Sequence, residues 1–333
     1  MAASLFVKLK TIMLFLYSLF VASGIFKLLV KIFRITAITG KGSNLCLKEG
    51  FLPLPVHFYS PIPDINDLEK RKIWDVRSEL KGINFRAGEQ LELLKQLGSG
   101  FSEECQWPLQ STENLSEFYL QNQSFSYGCA ASTHCVIRHF KPRTIIEIGS
   151  GMSSMVISKA IQLNGLQNGH HSNYIIVDPY PGEFIKNRSI EMKELIESRV
   201  ELLDMSFFEQ LKANDILFID SSHSVKIGGD VNYLFLEILP RLAPGVIVHI
   251  HDIGIPYEYS KTYATSETFR QFWTEQYLLQ GFLCFNYEFE ILLAMNYLMS
   301  DHSEVFKKTF PFYNPDLHPF ISGSFWMRRK IES

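Results

Sequence analysis

Along this 333-residue chain the apolar positions gather into short β-rich runs, and each run stops at a polar tip. Thr144 to Ile148 breaks into Gly149-Ser150-Gly151, and Ile175-Ile176-Val177 ends in Asp178-Pro179. Val200 to Leu203 ends in Asp204, Ile216 to Ile219 in Asp220-Ser221-Ser222-His223, and Val246 to Ile250 in His251-Asp252. Between the runs the spacing becomes helical. Residues 126–141 form a helix before the first strand, 226–241 another before the fifth, and 266–281 a third that sets Phe269, Phe272, Trp273 and Leu278 at core spacing. This alternation predicts the α/β class, a doubly wound Rossmann-like sheet with its chemistry at the carboxyl ends of the strands.

A strand that ends in a glycine turn and resumes as a helix presents free backbone N–H groups and lets a ligand approach the backbone closely. Gly149 and Gly151 build such a cradle, although Ser154 stands where a dinucleotide fingerprint has its third glycine. Asp178, at the tip of the second strand, is placed to read ribose hydroxyls. At the tips of strands four and five the chain offers Asp220, His223, His251 and Asp252. Two carboxylates with imidazole suit Mg²⁺, Mn²⁺ or a similar cation, which lowers the pKa of a bound hydroxyl. The metal-free alternative makes His223 or His251 a general base, since imidazole titrates near neutrality. Alternation puts His249 on the face of His251, where it reads as a hydrogen-bonded core histidine.

The segments EIGSG at 147–151, VDP at 177–179, DILFIDSSH at 215–223 and LAPGVIVHIHD at 242–252 resemble, in order and spacing, the class I S-adenosylmethionine-dependent methyltransferases. The likeness covers residues 125–295 and is nearest to small-molecule O-methyltransferases whose strand-tip carboxylates hold a divalent metal. It implies a seven-stranded sheet, parallel with an antiparallel last strand and helices on both faces, with 285–293 and 322–328 as the final strands. It also implies S-adenosyl-L-methionine as cofactor. Glu147, Gly149, Ser150, Gly151 and Ser153 would serve its methionine portion, Asp178 its ribose and Asp204 its adenine, with Asp220 and Ser221 alongside. Asp220, His251 and Asp252 become the metal candidates, and His223, His251 and Asp252 the catalytic ones. In the metal-binding relatives a second carboxylate or amide often follows the first strand-five carboxylate, and here that pair is His251-Asp252 or Asp252-Ile253. Local alternatives stand beside two of these roles: Glu147 pairing with a Lys or Arg, and Asp204 capping a helix near Phe207.

With 46% hydrophobic residues the chain can bury one substantial core, and its net charge of −3 argues against a nucleic-acid surface. Five scattered cysteines without C-x-x-C spacing read as reduced thiols. The amino terminus changes the picture. Residues 11–26 carry no charge and are bracketed by Lys8, Lys10, Lys27, Lys31 and Arg34. At about 1.5 Å per residue the run spans ~24 Å, short of a hydrocarbon core of about 30 Å, and snorkelling of Lys27 would extend it. A membrane anchor with a cytoplasmic catalytic domain is expected, and a signal peptide cleaved near Ala22-Ser23-Gly24 is the alternative.

The expected organisation is an anchor and flexible link over 1–40, a cap or strap over 41–124 that includes proline-rich 51–64 and helical 66–122, and the catalytic domain over 125–333. The leading function is methylation of a hydroxyl on a small or lipid-linked molecule by in-line transfer. A non-catalytic scaffold that keeps the fold is the alternative from another class. A nicotinamide-dependent oxidoreductase is the third, set back by Ser154 and by the late position of Asp178.

Overall fold

The computed structural model describes residues 13–14, 16–114, 116–187, 190–318 and 320–331. Lys8, Lys10 and part of the uncharged run, residues 11, 12 and 15, lie outside the described residues. The chain forms two compact units, Met1–Lys72 and Ile73–Ser333.

In the first unit, helix α1 (Gly24–Thr39) starts where the Ser23 hydroxyl accepts from the Phe26 N–H, and stops at Gly40, whose φ of 70° sends its N–H back to the Thr36 carbonyl. Gly42, also left-handed at φ 84°, starts helix α2 (Ser43–Lys48). The flexible link expected at the end of 1–40 is therefore helical up to Thr39, and a glycine break joins it to α2. Proline-rich 51–64 has no regular structure, as its four prolines require. Ile25, Leu28, Val30, Ile32, Ile35 and Ile38 of α1 all stand exposed. Among the described residues no single helix is long and apolar enough to cross a membrane. Residues 16–22 and α1 meet that test together, bent by 68° at their junction.

The second unit is built on a sheet of seven strands: β1 (Thr144–Ile148), β2 (Asn173–Val177), β3 (Glu194–Ile196), β4 (Ile216–Ile219), β5 (Ile247–Ile250), β6 (Phe289–Ala294) and β7 (Phe325–Arg329). Their order is β3-β2-β1-β4-β5-β7-β6. Only β7 runs antiparallel, and it does so to both its neighbours. This is a doubly wound, Rossmann-like sheet. β1, β2, β4 and β5 are buried throughout apart from Asn173, as strands covered on both faces must be. Helices α3 (Ala87–Phe101), α4 (Tyr127–Phe140), α5 (Met152–Asn168) and α6 (Glu275–Leu283) flank it. Leu94 and Leu97 of α3 lie in the same core as the strands, so the sheet's unit begins well before residue 125.

Register carries the chemistry to one edge. Ile148 pairs with Val177 and with Ile219, and Ile219 with Ile250, so four strands end level. The ladder continues one step further: Gly149 N–H donates to the Val177 carbonyl, Asp220 N–H to Ile148 and His251 N–H to Ile219, each at 2.9 Å.

Four expected elements differ. Strand three is 194–196, and Val200–Leu202 is a 3₁₀ turn. The helix expected from 226 begins at Asp230 and passes through a π segment at 234–238, because Gly228 and Gly229 keep 224–229 a loop. The helix expected over 266–281 starts only at Glu275. Of 66–122, the α-helical parts are α3 and all but the first residue of Ile65–Lys70, and the described residues of 105–126 are irregular.

Candidate active site

The glycine turn is held from both sides. Gly149 has φ 82°, and a Cβ there would lie 1.9 Å from the Asp220 carbonyl oxygen, so no other residue fits between β1 and β4. At Gly151 nothing lies within 4 Å of an added Cβ, which leaves open space beside the turn for a ligand. One carboxylate oxygen of Asp178 accepts from the Ser150 N–H at 2.9 Å and the Ser150 hydroxyl at 2.5 Å, and the other from the Tyr180 N–H at 2.7 Å. The β2-tip acid and the β1 turn thus form one rigid cradle.

Glu147 is fully buried, and it accepts from the hydroxyls of Ser153 (2.6 Å), Ser154 (2.7 Å) and Tyr174, with no Lys or Arg partner among the described residues. Burial raises its pKa, and these donors offset only part of that, leaving it at about 7. Ser154 also accepts from the Gly151 N–H at 3.1 Å, which explains why serine serves where a third glycine was expected. Ser153 likewise faces inward, so Glu147 and Ser153 shape the turn from behind. Asp204 is exposed and caps the 3₁₀ segment Met205–Gln210, accepting from the Ser206 N–H at 2.8 Å. That bond lowers its pKa. The structure gives Asp204 the capping alternative and does not bring it to the strand-tip cluster.

Asp220, His223, His251 and Asp252 do come together, each offering a ligand atom within 4.8 Å of the others. His223 Nε2 lies 3.4 Å from Asp220 Oδ1 and 3.5 Å from Asp252 Oδ2, and His251 Nδ1 lies 3.4 Å from each of the same oxygens. His223 and Asp252 adopt left-handed backbone, φ 54° and 55°, a cost that non-glycine residues bear where surrounding structure enforces it. Enforcement is visible: the N–H groups of Thr274 and Glu275 both reach the His223 carbonyl, and the Ile253 N–H reaches the Gly323 carbonyl at 2.8 Å.

Sequence reasoning missed Glu275. Its fully buried carboxylate takes His223 Nδ1 at 2.9 Å, leaving Nε2 to face the cluster. No spacing rule links positions 52 residues apart. Burial opposes a charge on His223, but Asp220 and Glu275 overcome it and lift the imidazole to about 10. Burial opposes the charge on His251 too, and Asp252 and Asp220 carry it well above the ordinary range. Burial would raise Asp220; the two imidazoles instead hold it far below a usual carboxylate. Cys129, on α4, is brought down to about 7 against its burial by neighbouring His251.

Neither ring nitrogen of His251 has a hydrogen-bond partner of good geometry among the described residues, and neither does the Ser221 hydroxyl. Unsatisfied imidazole nitrogen aimed between two carboxylates is what an open cation site provides. Asp220, His251 and Asp252, with His223 at the margin, fit a divalent cation on that ground. An aromatic wall closes one side: Trp273 lies 4.6 Å from His223 and 4.5 Å from Tyr263, and Phe125 stacks on His251 at 5.1 Å. Trp273 was expected in the core, a reading that fell with the helix meant to carry it. His249, by contrast, is a core histidine as expected, bonded to Ser324 at 2.9 Å and stacked on Phe218 at 3.8 Å. Burial keeps it well below the usual imidazole pKa.

A glycine cradle at β1, an acid at the β2 tip and polar groups at β4 and β5 make the carboxyl edge of this doubly wound sheet the candidate site. The family described as "Methyltransferase domain" matches residues 146–253, from within β1 to just past β5. An uncharacterized protein of Archaeoglobus fulgidus is 33% identical over 183 residues, which cover 53% of this chain and 81% of that protein. Residues 146–253 therefore belong to the methyltransferase-domain family, and the chain shares a family with the Archaeoglobus protein. Among solved structures it is similar, at 12% identity and a TM-score of 0.33, to the plantazolicin methyltransferase BpumL in complex with SAH, over 80% of this chain and 98% of that one. It is also similar to a putative protein-L-isoaspartate O-methyltransferase from Plasmodium falciparum with S-adenosyl-L-homocysteine, at 12% identity and a TM-score of 0.27, over 56% and 81%.

Proposed function

We propose that this protein methylates an oxygen of a small or lipid-linked acceptor, with S-adenosyl-L-methionine as donor and a divalent cation at the strand-tip cluster. The observation that carries the reading is the convergence of Asp220, His223, His251 and Asp252 beside the glycine turn. Bound S-adenosylmethionine supplies a methyl on a sulfonium, and the C–S pair returns to sulfur as the O–CH₃ bond forms. A cation held by Asp220, His251 and Asp252 supplies Lewis acidity that makes an acceptor hydroxyl more acidic.

The chain's own residues do the rest. Gly149, Ser150 and Gly151 present backbone to the methionine portion, and Asp178, locked by Ser150 and Tyr180, faces the ribose. With a cation at the cluster opposing the proton that His223 otherwise holds at its raised pKa, Nε2 is freed to receive the acceptor proton, while Glu275 fixes its Nδ1–H and supports the imidazolium. Trp273, Tyr263 and Phe125 limit water on one side. The amino-terminal segment tethers the protein to a membrane, with the catalytic unit on the cytoplasmic side.

Calorimetric titration of the full chain with S-adenosylmethionine and with NAD tests the cofactor. Heat with NAD alone, or with neither for folded protein, would end the methyltransferase activity proposed here. Chelation should then abolish methyl transfer, Mg²⁺ or Mn²⁺ should restore it, and S-adenosylmethionine affinity should hold throughout. Turnover that survives exhaustive chelation removes the cation and leaves His223 to act alone.

A further inference from the structure

Three segments ring the strand-tip cluster. Residues 223–229 follow β4, 261–274 follow β5, and 320–323 lead into β7. Two of them are tied at the base of the cleft, where the Val225 N–H donates to the Thr274 hydroxyl at 2.7 Å and the Thr274 N–H to the His223 carbonyl, and the third meets the chain just past β5, where the Ile253 N–H donates to the Gly323 carbonyl. Their outer tips are apolar and turned to solvent. Ile227 is 103% exposed, Phe269 69%, Phe320 63%, Ile321 51% and Val225 43%. Single exposed apolar residues are ordinary, but five stand on the three segments that leave β4 and β5 and lead into β7 at the one edge where those strands carry the cluster.

These tips are basic as well as apolar. Exposed Lys226 precedes Ile227 and exposed Arg270 follows Phe269, against one exposed acid, Glu267. Beneath them the wall stays apolar down to the chemistry, through Tyr263 and Trp273 to His223. Polar chemistry at the bottom, an aromatic wall, and separate apolar tips with cations between them suit an amphiphile entering from a bilayer: the tips sit at the acyl boundary and the cations at anionic headgroups. A protein partner would instead be expected to use a broad, continuous face.

We infer that the mouth of this cleft is a membrane-docking surface, through which the acceptor is taken from an anionic bilayer with its oxygen reaching the cluster and its apolar part lying along Trp273 and Tyr263. The inference rests on the methyltransferase reading for what happens at the cluster, but the docking itself does not.

The test uses the full chain and vesicles of phosphatidylcholine and phosphatidylglycerol with brominated acyl chains. Ile227→Trp and Phe269→Trp each add an indole at the mouth. Leu166→Trp adds one at an exposed site near the carboxyl end of α5, which runs from the turn back toward the opposite edge of the sheet. Relative to the unsubstituted protein, the added emission at 227 and 269 should fall by about half on brominated vesicles, and that at 166 should not change. Equal quenching at all three sites, or none at 227 and 269, overturns the docking surface; the second result with the protein still bound to vesicles would turn attention to a protein partner. S-adenosylmethionine titration of the same samples separates the two readings. Unquenched indoles with intact cofactor binding sink the docking alone, and quenched indoles without cofactor binding sink the methyltransferase activity alone.

Discussion

At the residue scale the site is a set of charges that hold one another in place. Glu275 is the side chain whose removal isolates one role, because among the described residues its carboxylate's one hydrogen bond is to the far nitrogen of His223. Glu275→Gln keeps the shape and an acceptor but withdraws the charge. It should lower kcat by about 10–100-fold while S-adenosylmethionine affinity stays put, the usual cost of losing an outer carboxylate. An unchanged kcat would make Glu275 a packing residue. Two other glutamates, half-buried Glu104 and buried Glu147, give opposite pH signatures. Burial would raise Glu104, but His134 at 2.7 Å and Arg138 at 2.7 Å hold it at about 2, below its ordinary 4.5. Its folded pKa is depressed, so its stabilisation is present above pH 4.5 and lost as pH falls through 2. Glu147 is raised to about 7, so its contribution is full below 4.5 and lost as pH rises through 7. Thermal melts should therefore show Glu104→Gln losing stability most at neutral pH, and the gap closing in acid. Glu147→Gln should compare best with the parent above pH 7. Parallel melting curves across that range would refute both assignments.

At the element scale, the strands that hold the site were legible because a strand covered on both faces must be apolar at nearly every position. β1, β4 and β5 could be read within a residue. β3 could not, since an edge strand of three residues with Glu194 exposed carries no such run, while the apolar 200–203 imitates one. The segment 266–274 misled for a related reason. Phe269 and Trp273 are four apart, yet Phe269 is in solvent and Trp273 lies against His223, so the two do not share a helix face. Strand-tip chemistry was legible as composition, and its wiring was not: Glu275 to His223, Ser150 to Asp178 and Ser154 to Glu147 depend on how separate elements meet. The glycine turn is where sequence and packing agree most closely. Gly149→Ala puts a Cβ against the Asp220 carbonyl at positive φ, so it should cost more than about 1 kcal/mol and also weaken S-adenosylmethionine binding. Melting and calorimetry read the two effects, and a variant with parental values in both would show that β1 and β4 can part without consequence.

At the scale of the whole molecule, the chain joins a unit that buries its apolar residues to one that displays them. Ile73–Ser333 has a continuous core, whereas α1 leaves Ile25, Leu28, Val30, Ile32, Ile35 and Ile38 exposed alongside Lys27, Lys31 and Arg34. Apolar residues on nearly every side of a helix are stable in lipid or against a partner and not in water. Salt distinguishes the forces involved. Attraction of three basic residues to anionic headgroups falls within a Debye length of about 10 Å at 0.1 M salt, while apolar burial is not screened. The full chain should therefore sediment with membranes and stay there through a high-salt wash, leaving only with detergent. Full release by salt would reduce α1 to an electrostatic contact, and a mature protein starting near Ile25 would replace the anchor with a cleaved signal.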